Sequence, residues 1–246
     1  MEIACFYHVP MLSMEKEMLK QWNEQMEWWD EFCSFLHRKP ALVEAVMKIS
    51  LRADLRPTVK YNALMMIYQY VKISKETENL VLLTLVCIRI QVKRVEAFTI
   101  APKSIIDIVH HRQKSNANLT EKDINELEMK ILETLNFEIN FVSVFEFVEL
   151  YAACFWNLAS ERLNLESKIF MKAAEQVCDV LYLSASYLVK QKNPKLLSGA
   201  IIACASEVKC GKKLAALNFW ISHVTGEDDD VIQKHTKELF KLLQED

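Results

Sequence analysis

The stretch Glu128-Met129-Lys130-Ile131-Leu132-Glu133-Thr134-Leu135-Asn136-Phe137-Glu138-Ile139 decides the fold. Its apolar residues continue a spacing that begins upstream, Ile124, Leu127, Ile131, Leu132 and Leu135, which draws one stripe along a helix. Thr120 and Asp123 stand ahead of the stripe as a capping pair, whose side chains satisfy the unpaired backbone N–H groups of a first helical turn. A polar loop from Gln113 to Leu119 separates this helix from what precedes it.

Outward from this helix, the residues that interrupt helices are scarce. Three glycines (Gly199, Gly211, Gly226) and five prolines in 246 residues are too few for the turns of a β-rich or α/β protein. The balance points to helices joined by short loops. It also weighs against P-loop or dinucleotide chemistry, which needs clustered glycines. With 51% hydrophobic and 26% charged residues, the chain is expected to be folded nearly end to end. Its length accommodates two units of roughly 100 residues, each with a core. A net charge of −3 supplies no concentrated basic face for direct contact with nucleic acid. The start, Met1-Glu2-Ile3-Ala4-Cys5, lacks a basic segment followed by an apolar one, so no signal peptide is expected. The longest apolar run, Leu80 to Ile88, is too short to span a membrane. Seven cysteines without a tight repeating spacing fit a reducing compartment, cytosol or nucleus.

Along the chain, Met18, Trp22, Met26, Trp29, Cys33 and Leu36 predict one long amphipathic helix. After Pro40, a second helix carries Leu42, Val43, Val46, Met47 and Ile49. Pro57 opens a third, with Ala63, Leu64, Ile67 and Tyr70 on its apolar face. A fourth begins near Glu76 and is apolar almost all round until Arg89 and Lys93, as suits the centre of a bundle. Pro102 opens a short fifth through Ile105, Ile108 and Val109. The second half repeats the plan: helices near 142–159 and 165–190, one opened by Asn193-Pro194 and closed around Gly211, and two more. Tyr70-Val71-Lys72 before the helix of Leu80 to Ile90 is echoed by Leu188-Val189-Lys190 before Leu196 to Ala205. Ser198, Gly199, Ala200, Ala203 and Ala205 mark a crowded bundle centre.

Glu128 to Ile139 resembles the fifth helix of a cyclin box, with its acidic residue and "hydrophobic-Leu-x-x-Leu-x-Phe" core. Val144-Phe145-Glu146-Phe147 looks like the start of a second box, and Pro194-Lys195-Leu196-Leu197-Ser198-Gly199-Ala200 is similar to the opening of that box's third helix. The chain is thus identified as resembling the cyclin superfamily over roughly residues 38 to 243. The resemblance implies an all-α fold of two tandem five-helix cyclin boxes, 38–140 and 141–246, after an N-terminal amphipathic helix within 1–37. Arg38 to Val46, Val59-Lys60-Tyr61-Asn62-Ala63 and Leu135 to Asn140 look most like the cyclin N-terminal domain-containing protein 1 group, meiotic crossover-promoting proteins.

Gln91-Val92-Lys93-Arg94-Val95-Glu96 sits where cyclins show "Ala-Ser-Lys-Phe-Glu-Glu", with Lys93 and Glu96 matching. The family's third-helix lysine and fifth-helix glutamate contact the mobile helix of a cyclin-dependent kinase; carried over, these are Lys93 and Glu128. A lysine supplies donors and a carboxylate acceptors, so together they can orient a partner's backbone. Gln91 replaces the family's small alanine and Arg94 its kinase-facing phenylalanine, which changes the shape of the interface. Arg38-Lys39-Pro40-Ala41-Leu42 and Ala45 replace the substrate-docking motif. The implied partner is therefore a cyclin-dependent kinase, in the nucleus, with recombination factors on meiotic chromosomes if the subgroup resemblance extends to function. A kinase-independent scaffold recruiting recombination or ubiquitin-ligase factors is the alternative.

The other candidates are weighed against ordinary structural roles. The stripe of Trp22 and Trp29 is expected to pack within the protein, and Trp28, which points elsewhere, is a candidate partner anchor. His110-His111 and the pair Cys204 and Cys210 make no metal signature. Asp228-Asp229-Asp230 reads as the acidic start of the last helix. Neither a nucleophile elbow nor a defined acid/base pair of carboxylates is found, so no catalytic residue, metal or cofactor is expected.

Overall fold

The computed structural model describes residues 5–75, 79–113, 119–163, 167–210 and 215–245, which form thirteen helices and no strand. The expected helix start near Glu76 and the expected end at Gly211 lie outside the described residues, as do the side chains of His110, His111 and Cys210. The chain divides into two compact units, one of residues Lys39–Phe141 and one combining Met1–Arg38 with Val142–Asp246.

The unit of Lys39–Phe141 contains α3 (Pro40–Arg52), α4 (Pro57–Ser74), α5 (Leu80–Val95), α6 (Pro102–Gln113) and α7 (Glu121–Thr134), numbered after the two N-terminal helices introduced below. Proline opens α3, α4 and α6, where its fixed φ suits the first turn and its missing N–H leaves no helical bond unmade. The Asn79 side chain caps α5 by accepting from Leu82 N–H at 3.0 Å. At α7 the expected cap forms in both directions: Thr120 N–H donates to Asp123 at 2.7 Å, and Asp123 N–H donates to Thr120 Oγ1 at 3.3 Å. After α7, Asn136 and Phe137 take left-handed φ values of 49° and 59°, and Phe137 N–H bonds back to Leu132 O at 2.8 Å. α5 packs against α3, α4, α6 and α7 and is buried from Leu82 to Val92, the central position its apolar composition predicted. α4 departs from its expected single apolar face: Thr58 to Tyr68 is buried without a break, Lys60 and Asn62 included. Sequence periodicity sees those polar residues as an outer face; packing in the bundle encloses them.

The other unit contains α1 (Cys5–Gln25), α2 (Trp29–Arg38), α8 (Val144–Leu163), α9 (Ser167–Leu183), α10 (Ala185–Lys190), α11 (Pro194–Cys210), α12 (Ala215–Thr225) and α13 (Asp229–Glu245), with α1 packed on α8 and α2 on α9 and α10. The long first helix predicted from the stripe is broken at residues 26–28, although no glycine or proline lies there. A tertiary contact lies at this break. The Gln25 amide donates to Val142 O and accepts from Val142 N–H, both at 2.8 Å, so the end of α1 is held by bonds from outside the helix. Trp22 and Trp29 are buried as expected, their ring centroids 4.6 Å apart. Trp22 Nε1 donates to Lys192 O at 3.0 Å and Trp29 Nε1 to Leu188 O at 3.2 Å. Near the middle of α1, buried Glu15 accepts from Tyr151 at 2.8 Å and meets Lys195 at 2.5 Å.

The helix expected over 165–190 is likewise two, with Ser184 ending α9 and α10 turning onto α2. α11 is the centre of its bundle, against α8, α9, α12 and α13. Its small residues explain the close approach: a Cβ on Gly199 would stand 3.2 Å from Ile221 on α12. Asp228 caps α13, accepting from Asp230 N–H at 2.9 Å and Val231 N–H at 3.3 Å, the role its acidic run suggested. The fold is all-α, two bundles of five long helices with an N-terminal helical segment, and the second bundle adds the short α10.

Candidate partner-binding site

Within the unit of Lys39–Phe141, α5 and α7 lie side by side and bring the two leading candidates together. Lys93 on the last turn of α5 meets Glu128 on α7, Nζ to Oε1, at 2.5 Å. The second carboxylate oxygen of Glu128 accepts a short hydrogen bond from Arg89 Nη1, one turn earlier on α5. Arg89 is further fixed by Ile100 O, at 3.0 Å from Nε, and by Asn125 Oδ1, at 3.2 Å from Nη1. Residues three or four apart share a helix face, so Arg89 with Lys93 and Asn125 with Glu128 form two facing edges. Both Arg89 and Glu128 are buried, whereas 39% of the Lys93 side chain is exposed.

Sequence reasoning missed Arg89 as a member of this group and read it as the polar end of an apolar helix. Its spacing of four from Lys93 was the available signal. Charge-assisted bonds make the cluster self-consistent: a buried carboxylate between two cations is stabilised where an isolated one would be costly.

The remaining interface candidates also have partners within the unit. Arg94 Nε donates to Gln91 Oε1 at 2.8 Å and its Nη1 to Asn140 Oδ1 at 3.2 Å, while Gln91 Nε2 donates to Ile139 O at 3.2 Å. The two departures from the cyclin pattern thus act together, tying the end of α5 to the chain that follows α7. Glu96 accepts from Arg56 N–H at 2.8 Å, which joins the end of α5 to the start of α4. Trp28, in the other unit, is half-buried with its ring edge-to-face on Phe32 at 6.0 Å, so it is not brought together with this group in one unit.

Among the described residues no group of His, Cys, Asp and Glu is arranged to hold a metal ion, and no helix is long and apolar enough to cross a membrane. The arrangement at Lys93 offers polar recognition: donors on a half-exposed ammonium, backed by a neutralised carboxylate.

No curated protein matches the chain. Residues 31–140 match the family model described as cyclin, N-terminal domain, a span that includes α3 to α7 and every residue of the Arg89, Lys93 and Glu128 cluster. Proteins of this family are regulatory and not enzymes. The match over residues 31–140 supports the likeness of this part of the chain to the cyclin superfamily.

Proposed function

We propose that the chain is a regulatory subunit of two cyclin boxes, 38–140 and 141–246, that binds a cyclin-dependent kinase. The observation that carries this reading is the meeting of Lys93 and Glu128 at 2.5 Å, inside the span that matches the cyclin domain. These are the two residues that the family resemblance assigns to the kinase, drawn from separate helices. Binding would act by population shift, favouring the arrangement of the kinase's mobile helix that makes the better contacts. From the resemblance to the cyclin N-terminal domain-containing protein 1 group we infer that this activity belongs to meiotic nuclei and promotes crossover maturation. Trp28, half-buried at the break between α1 and α2, is a candidate second contact for recombination factors.

Co-purification of the native chain with a panel of cyclin-dependent kinases, compared with the Lys93→Ala plus Glu128→Ala variant, tests the interface. Kinase recovered with the native chain and lost from a folded double variant supports the assignment; equal recovery refutes it.

The scaffold reading is favoured by one observation, the engagement of Gln91 and Arg94 with Ile139 and Asn140, which fills with internal bonds a surface that other cyclins present to the kinase. Absence of any kinase from native preparations, together with recovery of recombination or ubiquitin-ligase factors, would establish it.

A further inference from the structure

The Glu128 carboxylate has a cation on each oxygen, Lys93 on Oε1 and Arg89 on Oε2. Residue exposure is 8% at Glu128 and 6% at Arg89, so little of the carboxylate is left to accept a hydrogen bond from an incoming protein. Arg89 is not a loose counter-ion. Ile100 O and Asn125 Oδ1 fix its planar fork. Lys93 is held less firmly. Its side chain is 39% exposed, and of the three donors on its ammonium Glu128 takes one. Two cations and one carboxylate also leave the cluster positive.

We propose that Arg89 is a positioning residue that sets the specificity of this surface: by occupying one oxygen of Glu128 it limits that carboxylate to one donor of Lys93 and leaves the other two to point outward, so the surface selects a partner element that presents acceptors. The carbonyl end of a helix or a carboxylate side chain meets that requirement; an element presenting free N–H groups does not. The proposal rests on the kinase-binding reading and specifies which half of the Lys93 and Glu128 pair makes the contact.

The sign of one variant pair separates this from a structural role for Arg89. In Arg89→Leu, Lys93 is the remaining cation for both oxygens of Glu128, and a second donor of its ammonium is expected to turn inward to the oxygen that Arg89 vacates. Affinity of the full chain for a captured cyclin-dependent kinase is then expected to fall about fivefold or more. Adding Glu128→Gln removes the competing carboxylate, and affinity is expected to return to within about twofold of native. A merely structural arginine would show both its loss and its rescue in the melting temperature, whereas a positioning residue changes affinity with the melting temperature unmoved. Melting curves of each variant report folding. Lys93→Met, which leaves the Arg89 and Glu128 bond intact, is expected to lose affinity about as much as Arg89→Leu. A double variant that binds no better than Arg89→Leu while melting like the native chain overturns the proposal. Unchanged affinity in Lys93→Met overturns it whatever the other variants do. A native chain that binds no kinase of the panel overturns the kinase reading and this proposal together, whereas binding without rescue overturns the proposal alone.

Discussion

Cys33 on α2 and Cys204 on α11 are both enclosed, and burial pushes each thiol from its ordinary value of 9.0 up to about 12. At Cys33 the neighbouring Asp30 carboxylate acts in the same direction. An unfolded chain releases these protons as pH passes 9.0, whereas the folded chain holds them, so their contribution to stability is complete below 9.0 and is lost between 9.0 and about 12. The urea midpoint is therefore expected to fall as pH is raised from 8.5 towards 10.5, and to do so less in the Cys33→Ala plus Cys204→Ala variant. Equal slopes in the two proteins would remove the thiols as the cause. Thiols were countable in the sequence, but their burial was not, because it depends on which helices enclose them. The same limit applied at Arg89. Lys93 and Glu128 could be picked out by their places in a family pattern, yet an arginine closing an apolar run looks like a helix surfacing in water. Only the approach of α7 turns it into a buried partner for Glu128.

Helices were legible where local chemistry sets their ends. Pro40, Pro57 and Pro102 open α3, α4 and α6, and the Thr120 and Asp123 cap opens α7, because each device works through bonds within a few residues. The break between α1 and α2 was not legible, and the contact that holds the end of α1 lies far along the chain. Gln25 bonds Val142, 117 residues away, through both its amide oxygen and its amide nitrogen. A stripe running through Met26 and Trp29 carries no trace of that contact. Gln25→Ala leaves the N–H and C=O of Val142 without these partners in a buried setting, and the expected loss of stability is about 2 kcal/mol. Equilibrium urea denaturation measures it. A change within about 0.5 kcal/mol of native, the range of an ordinary surface substitution, would mean that the amide does not hold the break.

At the scale of the whole molecule, two helical bundles followed from the scarcity of breakers and the doubled plan, whereas the membership of each unit did not. Sequence order sets α1 and α2 beside α3, yet they share a unit with Val142–Asp246. The tryptophans explain the assignment energetically. Trp29 is fully buried, lies 5.4 Å from Phe32 and 4.6 Å from Trp22 between ring centroids, and gives its indole proton to Leu188 O, 159 residues away. Trp22 adds an edge-to-face contact with Phe147 of α8 at 5.8 Å. An α2 lacking these contacts has too few residues to persist as an isolated helix, so its order depends on the unit that receives it. Trp29→Ala is expected to cost about 4 kcal/mol through the lost ring and the cavity left behind. That cost should be local to one core. Leu64, Ile67, Val86 and Ile131 form buried contacts in the unit of Lys39–Phe141, while Phe147, Val177, Ile201 and Ile232 are buried in the unit that contains Trp29. Hydrogen exchange on the variant should therefore lose protection in α2 and α8 to α11 and keep it in α4, α5 and α7. Equal loss in both sets of helices would show that the two cores unfold as one and would refute their energetic separation.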